Sequence, residues 1–347
     1  MAYIIKGRPF EYKGAIDVRN CCNSVEVIQK SNLNWTVDKC ELTAKIPTRN
    51  IDIDGIANTE ELIYGDYLYS RLTNEYAVYR TDNGMPLGLV KGRYTPVQNI
   101  DAFNFFDNAI GKNKAIWQTA GYFGNGERIF VSAKLPNTIT VKGDPIDNYL
   151  VFTNSHDGSS GVKILFTPIR IVCKNTLNAA INNATNYVSF KHTKNVHDNI
   201  DIADRILGIC NIKTSFIKEQ YERLADIKLT DDEAEKQFAK LILTEEEIQN
   251  VINTGHTIKQ IILADKNAGA DANISTKKLN TLYKINEYYH AGIGQKEILG
   301  TAWGAYNAVT GYYSNIDNIN GIKRMDSLLF GDRARKIENA GNLLLAA

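Results

Sequence analysis

The sequence predicts an α+β fold, with an antiparallel sheet of β-hairpins and packed helices in the N-terminal half, followed by a helical C-terminal region. Three turn signals carry the first part of that reading. Thr81-Asp82-Asn83-Gly84, Phe123 to Glu127 and His156-Asp157-Gly158 each separate two short apolar or alternating runs, as consecutive hairpins do. The second part rests on a change of period: Ile202, Ile206, Ile209, Phe216 and Leu224 keep an apolar stripe at helical spacing. The division expected is a β-hairpin-rich α+β domain over 1–190 and a mainly helical region over 191–347 packed on it.

In chain order, Leu42 to Ile46 and Glu75 to Arg80 read as strands, and Asn83-Gly84 supplies the positive φ of a tight turn into a return strand from Leu87 to Tyr94. Pro96 breaks that run. Asn99-Ile100-Asp101 then opens a helix with Phe103, Phe106 and Ile110 on one side. Ala115 to Tyr122 pairs with Arg128 to Ala133, and Tyr149 to Thr153 with Val162 to Phe166, so that helices cover one face of the sheet. Leu177 to Ala180 points to a helix beginning near Cys173, and a long helix is expected over 195–225. Thr230 and Thr244, each leading a run of acids, cap two further helices, so those acids complement first turns and are not catalytic. The Ala, Gly and Asn of 265–272 suggest a mobile loop, and 275–289 and 301–313 return to helix.

The 347 residues carry a formal net charge of +1, which excludes coating of nucleic acid by bulk positive charge. No segment approaches the roughly 20 apolar residues of a membrane helix, and the N-terminus lacks a secretory or transit pattern, so no membrane partner and a cytoplasmic location are expected. Five cysteines without CxxC spacing fit reduced thiols. The five histidines lack ligand spacing, so no metal and no cofactor are expected. Neither a P-loop nor a strand followed by GxGxxG is present.

Asn154, Ser155, His156 and Asp157 invite a hydrolytic relay, but neighbours on an extended strand point to opposite faces and cannot form one. They read as a turn or a ligand-facing loop. From Gly158 to His197 there is no Asp or Glu, while Lys163, Arg170, Lys174, Lys191 and Lys194 are all present. With Tyr187 and Phe190 interleaved, this span offers cations for phosphates and rings for bases, the two requirements of single-strand binding. Arg93, between Gly92 and Pro96, adds a second anion-facing loop. The expectation is that these cations converge on one exposed groove.

The same segments carry a resemblance. The run from Val90 to Asn99, the run from Asn154 to Ser160, Phe166 to Leu177, Gly300 to Thr310 and Leu329 to Ala334 resemble the hallmark motifs of the phage/plasmid-like protein family, catalogued as a domain of unknown function. That resemblance implies a phage, plasmid or mobile-element setting and no particular chemistry. The leading expectation is a non-enzymatic nucleic-acid-binding protein, a single-strand annealing or recombination accessory resembling the RecT type in its layout of hairpins and helices. The alternative is a structural or assembly protein that oligomerises through its helical C-terminal region, where Tyr288, Tyr289, Trp303, Tyr306, Tyr312 and Tyr313 would supply an interface. A homo-oligomer is expected in either case.

Overall fold

Alternation of apolar side chains on both faces of its central strands explains the architecture seen in the computed structural model. It describes residues 15–50, 62–110, 115–173, 175–177, 187–190, 202–317 and 321–347. In chain order these residues form β1 (Ile16–Asp17), α1 (Ser24–Lys30), β2 (Val37–Pro47), β3 (Leu62–Tyr64), β4 (Tyr67–Arg80), β5 (Pro86–Lys91) and α2 (Asn99–Ile110). Next come β6 (Ile116–Phe123), β7 (Arg128–Lys134), β8 (Ile139–Val141), β9 (Asp144–Ser155), β10 (Val162–Arg170) and β11 (Tyr187–Phe190). The helical part holds α3 (Ile202–Asp226), α4 (Asp231–Ile242), α5 (Glu245–Asn253), α6 (Ile258–Ile262), α7 (Lys266–Asp271), α8 (Thr276–Ala291), α9 (Ala302–Gly311), α10 (Gly321–Leu329) and α11 (Asp332–Leu345). The α+β class and the three hairpins read from sequence are present.

The larger sheet is antiparallel, ordered β1-β6-β7-β9-β10-β11 with β8 on β9. Ile129, Val131, Leu150, Phe152, Ile164 and Phe166 face the main core, which continues into the C-terminal helices through Tyr221, Trp303, Tyr306 and Ile337. Phe130, Tyr149, Val151, Leu165 and Ile169 face a second cluster closed by Met325 and Leu329 of α10. Helices therefore cover both faces, not the single face expected, and this is why the strands read as nearly unbroken apolar runs.

Three expectations are corrected. Among the described residues no helix starts at Cys173: β10 runs to Arg170, Ile171 to Cys173 form a turn, and Leu177 N–H donates to the Pro168 carbonyl at 2.9 Å, while 178–186 lie outside the described residues. The expected mobile loop at 265–272 is α7, because the Asp265 carboxylate caps the N–H groups of Asn267 and Ala268 and small residues let the turn close onto Leu279 of α8. The aromatic supply of the tail is internal, since Tyr288, Tyr289, Trp303, Tyr306, Tyr312 and Tyr313 are all buried. The two acid-led helices are as read, and both Thr230–Glu233 and Thr244–Glu247 close full capping boxes.

Candidate nucleic-acid interface

The smaller sheet is ordered β2-β4-β3, with β5 also on β4, and its outer half is an arm with one open face. Near the body, Val37 and Val78 sit in the core. Between them and the arm tip the β2/β4 register jumps from Glu41↔Tyr76 to Thr43↔Arg71, so β4 carries an odd number of extra residues there. Asn74, at φ 62° in the left-handed region Asn tolerates, makes the bend and accepts from the Gly92 N–H at 2.9 Å. The odd insertion changes which alternate residues of β4 share a face with β2. Beyond it, Arg71, Tyr69 and Tyr67 lie beside Thr43, Lys45 and Pro47, and Tyr64 of β3 pairs with Tyr67.

This face is polar, aromatic and open. Tyr64 is 75% exposed, Tyr67 is exposed, and Tyr69 is half-buried. The Lys45 ammonium stands 3.9 Å from the centre of the Tyr67 ring, a cation–π contact, and Arg49 is exposed in the 3-10 turn that follows β2. Arg71 pairs with Glu41. The opposite face is apolar, with Ala44, Ile46 and the buried Leu68.

The convergent groove expected around β10 is not formed by the described residues. Lys163 and Arg170 lie near opposite ends of β10, roughly 23 Å apart at ~3.3 Å per residue, and their odd spacing puts them on opposite faces. Arg170 is 2% exposed and is not available to phosphate: Nε donates to Asp144 Oδ2 at 2.5 Å and an Nη to the Gly294 carbonyl at 2.7 Å. The Trp303 indole donates to the same Asp144 oxygen at 2.9 Å.

Lys163 is half-buried with its Nζ 4.5 Å from the centre of the Phe330 ring, and burial lowers its pKa against the opposing pull of Asp326. Tyr187, at the sheet edge, packs its exposed ring edge-to-face on the same Phe330, so these two predicted residues are brought together. Phe190 contributes backbone to β11 opposite Val162. Arg93 is exposed in the turn after β5. Lys174, Lys191 and Lys194 lie outside the described residues.

Of the stretch expected as a turn or ligand-facing loop, Asn154, Ser155 and His156 are buried at the junction of the two sheets and Asp157 is half-buried. Asn154, Ser155 and His156 are at most 1% exposed. The Asn154 amide donates to the Val97 carbonyl at 3.1 Å, and the Tyr94 hydroxyl to the Ser155 carbonyl at 3.1 Å. His156 Nε2 lies 2.9 Å from Asn99 Oδ1, with its ring edge-on to Trp35. Ser155 turns the other way, its hydroxyl bonded to Asp157 and 3.2 Å from Ser159 Oγ, beside the Arg128 that pairs with Asp326. Adjacent residues thus point to opposite faces, so serine and histidine have no shared site. Among the described residues, no group of three His, Cys, Asp or Glu side chains could hold a metal.

Burial pushes the Asp157 carboxyl up, but hydrogen bonds from the Ser155 and Ser159 hydroxyls and the Ser159 N–H outweigh it, and the net pKa is lowered. A lowered carboxylate contributes stability above its unfolded pKa of about 3.9 and loses it as pH falls through the folded value. Asp157→Asn is therefore expected to reduce Tm at neutral pH and to flatten the acid limb below about pH 4, as thermal melts across pH would show.

The motif Domain of unknown function (DUF932) matches residues 86–343 as a family model. The chain belongs to this family. No curated protein and no solved structure matches it. The DUF932 span contains the 154–157 stretch, the Arg170 ion pair and the helices from α2 through most of α11, whereas α1 and the aromatic arm, up to Arg80, precede it. No described helix is long and apolar enough to cross a membrane.

Two of the runs that carried the resemblance, Phe166 to Leu177 and Gly300 to Thr310, meet inside that span. Asn175 donates to the Asn307 carbonyl at 3.1 Å and accepts from the Tyr288 hydroxyl at 3.3 Å and the Asn315 amide at 2.8 Å. Asn315 belongs to a π-helical turn, Tyr312–Ile316, whose widened register also lets Ser314 Oγ accept from the Thr176 N–H at 3.1 Å. These DUF932 residues lock the end of β10 to the helices.

Proposed function

We propose that this protein is a non-enzymatic binder of single-stranded nucleic acid that uses the open face of its β-arm. The observation that carries the reading is the set Tyr64, Tyr67 and Tyr69 interleaved with Lys45 and Arg71 on one sheet face, with Arg49 exposed in the turn that follows β2. Unpaired bases stack on flat rings, and cations beside the rings meet the phosphates. A β-sheet presents such side chains at a spacing an extended strand can follow. Lys163 and Tyr187, held on Phe330 at the edge of the larger sheet, supply a second patch of the same chemistry. The phage, plasmid or mobile-element setting and a role as a recombination or annealing accessory agree with such binding and form part of the proposal.

The experiment is fluorescence anisotropy with a labelled oligonucleotide, single-stranded and duplex, over a salt series. Single strands are expected to bind more tightly than duplex, with affinity falling as salt rises. Tyr67→Ala should weaken binding by about 5- to 150-fold, the equivalent of ~1–3 kcal/mol for one stacked base. Lys45→Glu should reduce the salt slope. Absence of binding at low salt, or binding indifferent to both substitutions, overturns the reading.

A further inference from the structure

Among the described residues, β2 is the longest strand on the arm with an unpaired edge, and the backbone of that edge indicates a partner. Among the described residues β2 pairs only with β4, leaving its other edge open. The residues whose backbone faces that edge can be identified. Val37 N–H donates to Gln98 Oε1 at 3.0 Å and the Gln98 amide returns to the Val37 carbonyl at 2.9 Å, so Val37 faces outward and a side chain caps it. Lys39 N–H also faces outward, donating to Asp38 Oδ1 at 2.7 Å. By alternation Glu41, Thr43 and Lys45 follow on the same edge, and then Pro47, which has no N–H to give. The open stretch is thus bounded on one side by capped groups and on the other by a proline, and its midpoint is Thr43.

We infer that β2 pairs antiparallel with β2 of a second copy of this chain, about a two-fold axis at Thr43. In that register Thr43 lies opposite its own copy and Glu41 opposite Lys45, each pair exchanging its backbone hydrogen bonds. The axis repeats the Glu41–Lys45 contact, so opposite charges face each other at both ends of the ladder. The charge pattern also selects the register. A ladder centred one residue earlier, at Leu42, would set Lys39 against Lys45, a like-charge pair.

Residues paired across antiparallel strands share a face, so the odd-numbered side of β2 continues from one copy to the other. The tyrosine faces of the two arms therefore form one platform. The ladder is short, well below the ~1,600 Å² of a standard interface, so the monomer–dimer balance is expected to depend on concentration. The inference rests on the β2 edge alone and does not depend on nucleic-acid binding.

The test is the mass of the full chain by light scattering over a concentration series without oligonucleotide, with circular dichroism to confirm that each variant is folded. The wild type should pass from monomer to dimer. Glu41→Lys and Lys45→Glu should each raise the dimer dissociation constant at least about ten-fold by turning paired charges into repelling ones. The double variant carrying both swaps should recover most of the wild-type affinity. Thr43→Pro should leave only monomer. A monomer at every concentration overturns the inference, and so does a dimer whose affinity ignores the single swaps or is not recovered by the double one. Dimer formation is read without nucleic acid, so its failure and a failure of single-strand binding are separate results.

Discussion

Arg170→Ala is expected to destabilise the protein by about 3–5 kcal/mol, the cost of removing one partner from a buried ion pair. The guanidinium is 2% exposed and Asp144 is 9% exposed. Without Arg170, the Asp144 carboxylate would keep the Trp303 indole as its side-chain donor from the helical half, and burying it would cost several kcal/mol. The Gly294 carbonyl and Cys173, which the same guanidinium reaches, would lose a donor as well. Arg170→Lys should recover little, since one ammonium cannot span the carboxylate, the carbonyl and the thiol as the planar fork does. Denaturant unfolding measures the loss. The same variant separates two roles for Arg170: a structural arginine changes stability and leaves the salt dependence of any nucleic-acid binding as it was, whereas a phosphate contact would flatten that dependence. A stable Arg170→Ala protein with a reduced salt slope would restore the groove around β10.

That arginine shows where sequence reading fails. Phe166-Thr167-Pro168-Ile169-Arg170 looks like a strand ending in a solvated cation, and nothing local distinguishes it from one whose partner is remote. Asp144 is on the neighbouring strand and Trp303 on α9, so only the assembled fold pairs them. The arm was hidden for a different reason. Leu42 to Ile46 was legible as a strand, but the extra residues around Asn74 break the alternation of β4, and without the register Tyr64, Tyr67 and Tyr69 cannot be assigned to the face of Lys45. A period-two reading of Tyr67 and Tyr69 was the available signal. What depended only on short-range chemistry was legible: the Asn83-Gly84 hairpin, the Thr230 and Thr244 caps, and the opposite orientation of Ser155 and His156.

The second large effect is expected at Gly88, where the two sheets touch. A Cβ built there would lie 2.6 Å from the Asp157 carbonyl oxygen and 2.8 Å from its carbonyl carbon, distances no packed methyl group adopts. The obstruction is backbone and cannot rotate away. Gly158, at φ 74°, holds the facing loop against Val90 and Leu89, so the loop cannot withdraw without giving up a conformation that side chains disfavour. Separating the surfaces would also strain the Tyr94 bond to Ser155 and the His156–Asn99 contact. Gly88→Ala is accordingly expected to cost several kcal/mol, at or above the ~1–3 kcal/mol typical of overpacking, and Gly88→Val more. Gly84→Ala is the control, because its Cβ meets nothing within 4 Å; at φ 69° it should cost only the ~1–2 kcal/mol of left-handed strain. A Gly88→Ala melt no lower than that of Gly84→Ala would mean that the smaller sheet does not rest on the 156–158 loop.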